Sequence, residues 1–291
     1  MNAPLAALRR LQVVPSTTSH KREPLLPTLE IFARLGFRDV DLNLSHFIEK
    51  GTGIDEACRA LAQNGQRAVI ASGGWCDFFD RAPRIAQTFE SVARQIDLAR
   101  RVGARSLRLF FGRLPHEDYG PEARQLAAEH IRCVADAYPD VLLMFENHDG
   151  ASSHPRVCRE VIEEVDRPNA RLVFDPINFE HRGVSGLEAI PHLHRFIAHV
   201  HLKGYNHGQF CEFGAGQVDL TPVLRDLGRH GYGGGFTVEY EGTFDRTLRL
   251  YVGHRNAVSL LAALPEFQAG AVSGDCLPTD SREGWRQKEG P

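Results

Sequence analysis

Short apolar, β-branched runs alternate with longer amphipathic stretches along most of this chain. Eight runs read as strands, at 11–16, 39–44, 67–72, 106–111, 141–146, 170–175, 197–202 and 236–240. Each is short and nearly continuous in apolar character, the pattern of parallel strands buried on both faces. Helical periodicity fills the gaps, at 27–35, 54–64, 84–101, 121–138, 155–165, 187–195, 220–230 and 244–264. Gly36, Gly65, Gly103 and Gly231 stand where four of these end, and Ser152-Ser153-His154 offers an N-cap region before Pro155.

Eight β-then-α units fit either an open doubly wound sheet or a closed (β/α)8 TIM barrel. The open sheet normally carries a glycine-rich first turn. Here the first strand runs into Ser16-Thr17-Thr18-Ser19-His20, without glycine. The α/β class with a (β/α)8 TIM barrel is therefore the expected fold, as a single domain over 1–264. Residues 265–291 are polar and rich in Gly and Pro and read as an appended tail, with Trp285 its most conspicuous side chain.

Composition narrows the function classes. The chain has 291 residues, 42% hydrophobic and 24% charged, with a net charge of −3. No basic excess points to nucleic acid or to a membrane surface. No run of about 18 apolar residues reads as a membrane span. Cys58, Cys76, Cys133, Cys158, Cys211 and Cys276 are scattered without a CxxC spacing, as expected of free thiols in a reducing cytoplasm.

Barrel enzymes place their chemistry at the carboxyl ends of the strands. Strand five ends in Glu146, strand six in Asp175, strand seven carries His201 and strand eight carries Glu239, at intervals of 29, 26 and 38 residues. Carboxylates crowded into a partly buried mouth repel one another, and a divalent cation relieves that repulsion. A donor set of three carboxylates and one imidazole suits Mn²⁺ first, with Mg²⁺, Co²⁺ or Zn²⁺ also accommodated. Glu241 shares the facing of Glu239 and is the alternative ligand on strand eight.

Side chains two apart on a strand share a side. His148 therefore follows Glu146 towards the mouth, as a general base, a substrate donor or a hydrogen-bonded loop residue. Lys203 follows His201, either to bind a substrate oxygen or to sit in solvent at the rim. Asn178 orients a ligand or the substrate, or caps its loop, and His181 reaches the mouth from the same loop. His20, His46 and Trp75, after strands one to three, line a pocket or pack within loops. The run Gly231-Tyr232-Gly233-Gly234-Gly235 precedes strand eight, on the face away from the site, and reads as a turn. Gly214-Ala215-Gly216 reads as a tight loop, and no nucleotide-binding or other cofactor-binding motif is present.

The segments FENH at 145–148, FDPIN at 174–178, HVHLKG at 199–204 and the run at 213–242 resemble the xylose-isomerase-like TIM barrels over about residues 10–262. That superfamily holds sugar isomerases and epimerases, with endonuclease IV as a distant branch. The resemblance implies a mononuclear metal site held by Glu146, Asp175, His201 and Glu239. Endonuclease IV needs further histidines; here Asn178 stands at one such position, and strand four ends in Leu109-Phe110-Phe111-Gly112. Gly204 replaces the acid of the HxKD pattern common in relatives.

The implied activity is isomerisation or epimerisation of a ketose or related hydroxy-ketone. An α-proton leaves, the cation stabilises the enediolate, and Glu146 and Glu239 shuttle the proton. The alternative is a lyase of the 3-dehydroshikimate dehydratase type, with His148 as base and Lys203 beside it. Lys203, Asn178 and His181 are the expected substrate contacts. The expected partners are a small-molecule substrate, no nucleic acid, no membrane and at most further copies of the chain. The expected location is the cytoplasm.

Overall fold

A computed structural model describes residues 12–268. Its eight-stranded parallel sheet contains β1 (Val13–Pro15), β2 (Asp39–Asn43), β3 (Arg67–Ser72), β4 (Ser106–Phe110), β5 (Leu142–Glu146), β6 (Ala170–Phe174), β7 (Ile197–Leu202) and β10 (Gly235–Val238). The strand order is β1-β10-β7-β6-β5-β4-β3-β2, and a parallel bridge between Ser16 and Asp41 joins the outer strands. The expected (β/α)8 barrel is thus present. The sequence ranges overran several strand ends by one or two residues, so Asp175 and Glu239 follow their strands instead of closing them.

Helices α1 (Leu25–Arg34), α3 (Ile54–Gln63), α4 (Arg84–Arg101), α5 (Pro121–Ala137), α6 (Pro155–Val165), α8 (Gly186–Leu193), α9 (Thr221–Arg229) and α10 (Arg246–Ala263) surround it, with short α2 (Ser45–Ile48) and α7 (Pro176–His181) at strand ends. Helix α6 shows why these segments fold locally. Pro155 sits in its first turn, where its missing N–H costs no helical bond. Val157, Cys158, Val161, Ile162 and Val165 form one buried stripe at helical spacing. The cap expected from Ser152 and Ser153 is not made; they lie in a 3-10 turn at Gly150–Ser153. Gly103 ends α4 with φ of +86°, as its position predicted.

Strand alternation divides the core in two. Leu143 and Phe145 of β5 face the helices, Phe145 fully buried against Phe78 and Phe111 at ring separations of 5.5 and 5.2 Å. Burying such a ring contributes roughly 1.5–3 kcal/mol. Met144 faces the other way and joins Ile70 and Val173 in a separate apolar plug. One pleat further along, the inward side chain of β5 is Glu146.

The β7 end carries an element absent from the sequence reading. Strands β8 (Gly204–Asn206) and β9 (Gln209–Cys211) form an antiparallel hairpin. Its tip, His207-Gly208, has φ values of +45° and +83°, the geometry of a tight hairpin turn. The tail expected from residue 265 lies largely outside the described residues, as do Trp285 and Cys276. Phe267, in the turn Pro265–Phe267, is buried against Phe236.

Candidate metal centre

Glu146 ends β5, Asp175 follows β6, His201 lies within β7 and Glu239 follows β10. These four strands are adjacent in the sheet. Each residue offers one ligand-type atom, and these atoms lie within 4.8 Å of one another. None of the four is more than 4% exposed. His201 Nδ1 is 3.2 Å from Glu146 Oε1 and 3.6 Å from Glu239 Oε2.

The backbone holds this cluster through specific contacts. Asp175 Oδ1 caps α7, accepting from the N–H groups of Ile177 and Asn178 at 2.9 and 3.0 Å. That leaves Oδ2 for the cluster. Asn147 points away from the mouth and ties β5 to β6. It donates to the Asp175 carbonyl and accepts from the Asp175 N–H, both at 2.8 Å. Asn178 donates to Glu146 Oε1 at 3.1 Å and to the Asn147 carbonyl at 3.0 Å, so it orients the glutamate. Glu241 stands outside the four and pairs with Lys203, Nζ to Oε1 at 2.6 Å.

Lys203 is not a rim lysine in solvent. It is 2% exposed, with Nζ 3.0 Å from Asp175 Oδ2. Burial works against its charge, but Asp175 and Glu241 raise its pKa well above the usual lysine value. Burial likewise opposes the charge on Glu146, yet His201 and Arg108 hold its carboxyl well below the usual range. Burial pushes Asp175 up to about 6 in spite of Lys203, with Glu146 adding to the rise. His201 is lowered by burial and raised more by Glu239 and Glu146, to about 9.

A divalent cation fits these residues. Glu239 Oε1 and His201 Nε2 are buried atoms without a hydrogen-bond partner, and Asp175 Oδ2 has only its ion pair with Lys203. Buried polar atoms are normally paired. Three oxygens and a nitrogen from such groups make a hard donor set, and no thiol is among them.

A small cavity of about 120 Å³ opens at the mouth, lined by His148, Asn178, His181, Phe210 and Glu241 among others. His148 lies edge-on to Trp75 and Phe110, at 5.3 and 5.1 Å between ring centres. His181 Nδ1 bonds the Tyr205 hydroxyl of the hairpin at 2.9 Å. His20 turns to Thr247, Nε2 to Oγ1 at 3.1 Å, and neither it nor buried His46 joins the ligand group.

Two charged residues escaped the sequence reading. Arg108 of β4 is buried, its Nε 3.2 Å from Glu146 Oε2 and its Nη1 donating to the Gly73 carbonyl at 2.8 Å. Asp41 of β2 accepts from Ser72 Oγ on both oxygens, and burial raises it to about 6. The signal was a charge at a buried strand position, the arginine of SLRLF and the second aspartate of DVDLN.

Residues 29–253 match the model of the xylose isomerase-like TIM barrel. The chain belongs to that family. Solved structures of the same fold include three with informative names. The probable 3-DHS dehydratase AsbF of Bacillus anthracis is 15% identical, with a TM-score of 0.70 over 85% of this chain and 98% of its own. The D-allulose 3-epimerase of a Methylomonas species is 16% identical, at 0.73 over 86% and 98%. The IolI protein with a bound zinc atom is 14% identical, at 0.72 over 89% and 99%. No curated protein sequence matches this xylose isomerase-like barrel. Among the described residues, no helix is long and apolar enough to cross a membrane.

Proposed function

We propose that this xylose isomerase-like barrel is a divalent-metal-dependent isomerase or epimerase of a ketose or related hydroxy-ketone. The observation that carries the reading is the buried group Glu146, Asp175, His201 and Glu239 at the barrel mouth. A bound cation, Mn²⁺ in the first instance, supplies Lewis-acid stabilisation of the oxyanion that forms when an α-proton leaves. Glu146 and Glu239 flank His201 Nδ1 from two strands, which suits removal of a proton by one and its return by the other. Lys203 offers an ammonium to a substrate oxygen. Asn178 holds Glu146 in place, and His181 borders the cavity. A D-allulose 3-epimerase with this fold supports the reaction class.

A second reading is a dehydratase of the 3-dehydroshikimate type. The observation favouring it is His148 on the cavity wall together with a buried lysine at the cluster, and one neighbour in fold is a probable 3-DHS dehydratase. Metal-loaded protein incubated in D₂O with a panel of ketoses and with 3-dehydroshikimate separates the two by NMR. Deuterium at an α-carbon with an isomeric sugar is the expected result. An aromatic product from dehydroshikimate moves the assignment to the lyase, and absence of exchange across the panel contradicts both.

A further inference from the structure

His148 is held from three sides, and only one of them was legible as a site feature. Its Nδ1 is shut off from solvent and lies 3.2 Å from Asp149 Oδ2. The contact is off the in-line direction of a strong hydrogen bond, and no other partner satisfies that nitrogen. Asp149 is itself fixed from across the mouth. Its Oδ1 accepts from Arg182 Nη2, just past the C-terminal end of α7. The backbone of the turn is pinned too: Ser152 Oγ accepts from the His148 N–H at 3.3 Å and donates to the Asp149 carbonyl at 2.9 Å.

The ring plane is set separately. Trp75 stacks on Phe110 at 4.3 Å and 22°, and His148 meets both nearly perpendicular, at 89° and 73°. Guanidinium groups close the stack at each end, Arg113 over Trp75 at 4.0 Å and Arg108 over Phe110 at 4.3 Å. The edge contacts with Trp75 and Phe110 favour one orientation of the imidazole, and the guanidinium groups hold those two rings in place. With Nδ1 buried against Asp149 and the imidazole lining the cavity, Nε2 is the nitrogen turned to the mouth.

We propose that Asp149, backed by Arg182, is a positioning residue that holds His148 as the Nδ1–H tautomer with Nε2 presented to the substrate. An imidazole bound by a carboxylate on one nitrogen is fixed in tautomer and orientation, the device that serine hydrolases and zinc enzymes both use. Held in this way, His148 is a directed group of the mouth. Its Nε2 is ready to accept a hydrogen bond or a proton from a hydroxyl or an α-carbon. This rests on the enzymatic reading above, because that reading places substrate in the cavity.

The test pairs a spectroscopic readout with a kinetic one. Long-range ¹H–¹⁵N spectra of histidine-labelled, Zn²⁺-loaded protein report each tautomer, and His148→Gln assigns the His148 signal by its loss. The wild type is expected to show Nδ1–H at His148. Asp149→Leu is expected to shift that signal to Nε2–H or to an average, and Asp149→Asn, which keeps an acceptor oxygen, to restore it in part. With the substrate found in the D₂O panel, Asp149→Leu is expected to lower kcat by about 10- to 100-fold at nearly constant KM, with metal stoichiometry and thermal midpoint unchanged. Nε2–H in the wild type, or an Asp149→Leu spectrum identical to it, overturns the proposal. Absence of turnover by the wild type defeats the enzymatic reading alone, because the spectra judge the tautomer without any substrate.

Discussion

At the ends of β1 and β2, Ser16, Thr17, Ser19 and Asn43 are nearly as buried as Glu146, Asp175, His201 and Glu239 on the other side of the mouth. The first group is neutral and largely satisfies itself. Thr17 Oγ1 accepts from the Asn43 N–H at 2.7 Å, Thr18 Oγ1 from Asn43 Nδ2 at 2.9 Å, and Ser19 Oγ from the Tyr240 N–H at 2.8 Å. His46 nearby stays neutral, because burial pushes its pKa down to about 4, although neither of its buried ring nitrogens has a hydrogen-bond partner. The second group concentrates carboxylates around His201, recruits Lys203 and Arg108 as counter-charges, and still leaves Glu239 Oε1 without a hydrogen-bond partner. Hydrogen bonds suffice to bury neutral polar groups, whereas burying like charges requires a cation. On the proposed reading the two sides of one mouth have different jobs, one structural and one chemical.

Substitutions should separate these sides, the largest effect first. Asp175→Asn retains an oxygen to cap α7 but removes the charge facing the cluster. It should weaken divalent-cation binding by more than about 100-fold, beyond what loss of an outer-shell partner costs, as read by calorimetry. Next, Arg108→Met strips Glu146 of its buried guanidinium. In metal-free protein it should cost about 3–5 kcal/mol in denaturant unfolding, the usual result of unpairing a buried charge, and clearly less when a cation is bound.

The neutral side yields smaller effects. His46 has a folded pKa of about 4 against an ordinary 6.5. Its contribution is fully present above pH 6.5 and is lost as pH falls through 4, about 3 kcal/mol in all. Unfolding free energies of the wild type and His46→Leu, compared at pH 7.5 and pH 4 (roughly a unit above that window and at its lower end), should show the steeper acid loss in the wild type. Asn43→Ala removes two side-chain hydrogen bonds, Nδ2 to Thr18 Oγ1 and the one Oδ1 accepts from the Ser45 N–H at 2.9 Å, and should cost about 1–2 kcal/mol, with cation affinity unchanged. A metal-binding defect in Asn43→Ala would erase the distinction between the two sides.

Much of the fold was legible because alternation and helical spacing are strong signals in a barrel of parallel strands. The four residues that meet at the mouth were legible because each stands at a strand end, one unit apart, so topology alone brings them together. What stayed hidden needed partners from distant segments. Arg108 looked like one charge in an apolar strand until Glu146 appeared beside it. Lys203 stayed open between a substrate contact and a rim residue because nothing local announces Asp175 and Glu241. The hairpin at β8 and β9 was too short, and its turn pair His207-Gly208 too ordinary, to stand out from a loop. Nothing local announces Asp149 either, because its contact with Arg182 arises only when the β5 and β6 ends face each other.

The most direct measurement is the metal content of chelator-treated protein after equilibrium dialysis against Mn²⁺, for the wild type and Glu146→Gln side by side. One tightly held ion per wild-type chain and none above background in folded Glu146→Gln is the expected result. A wild type that retains no ion, or a Glu146→Gln protein that still holds one per chain, contradicts the assignment of the mouth as a metal centre.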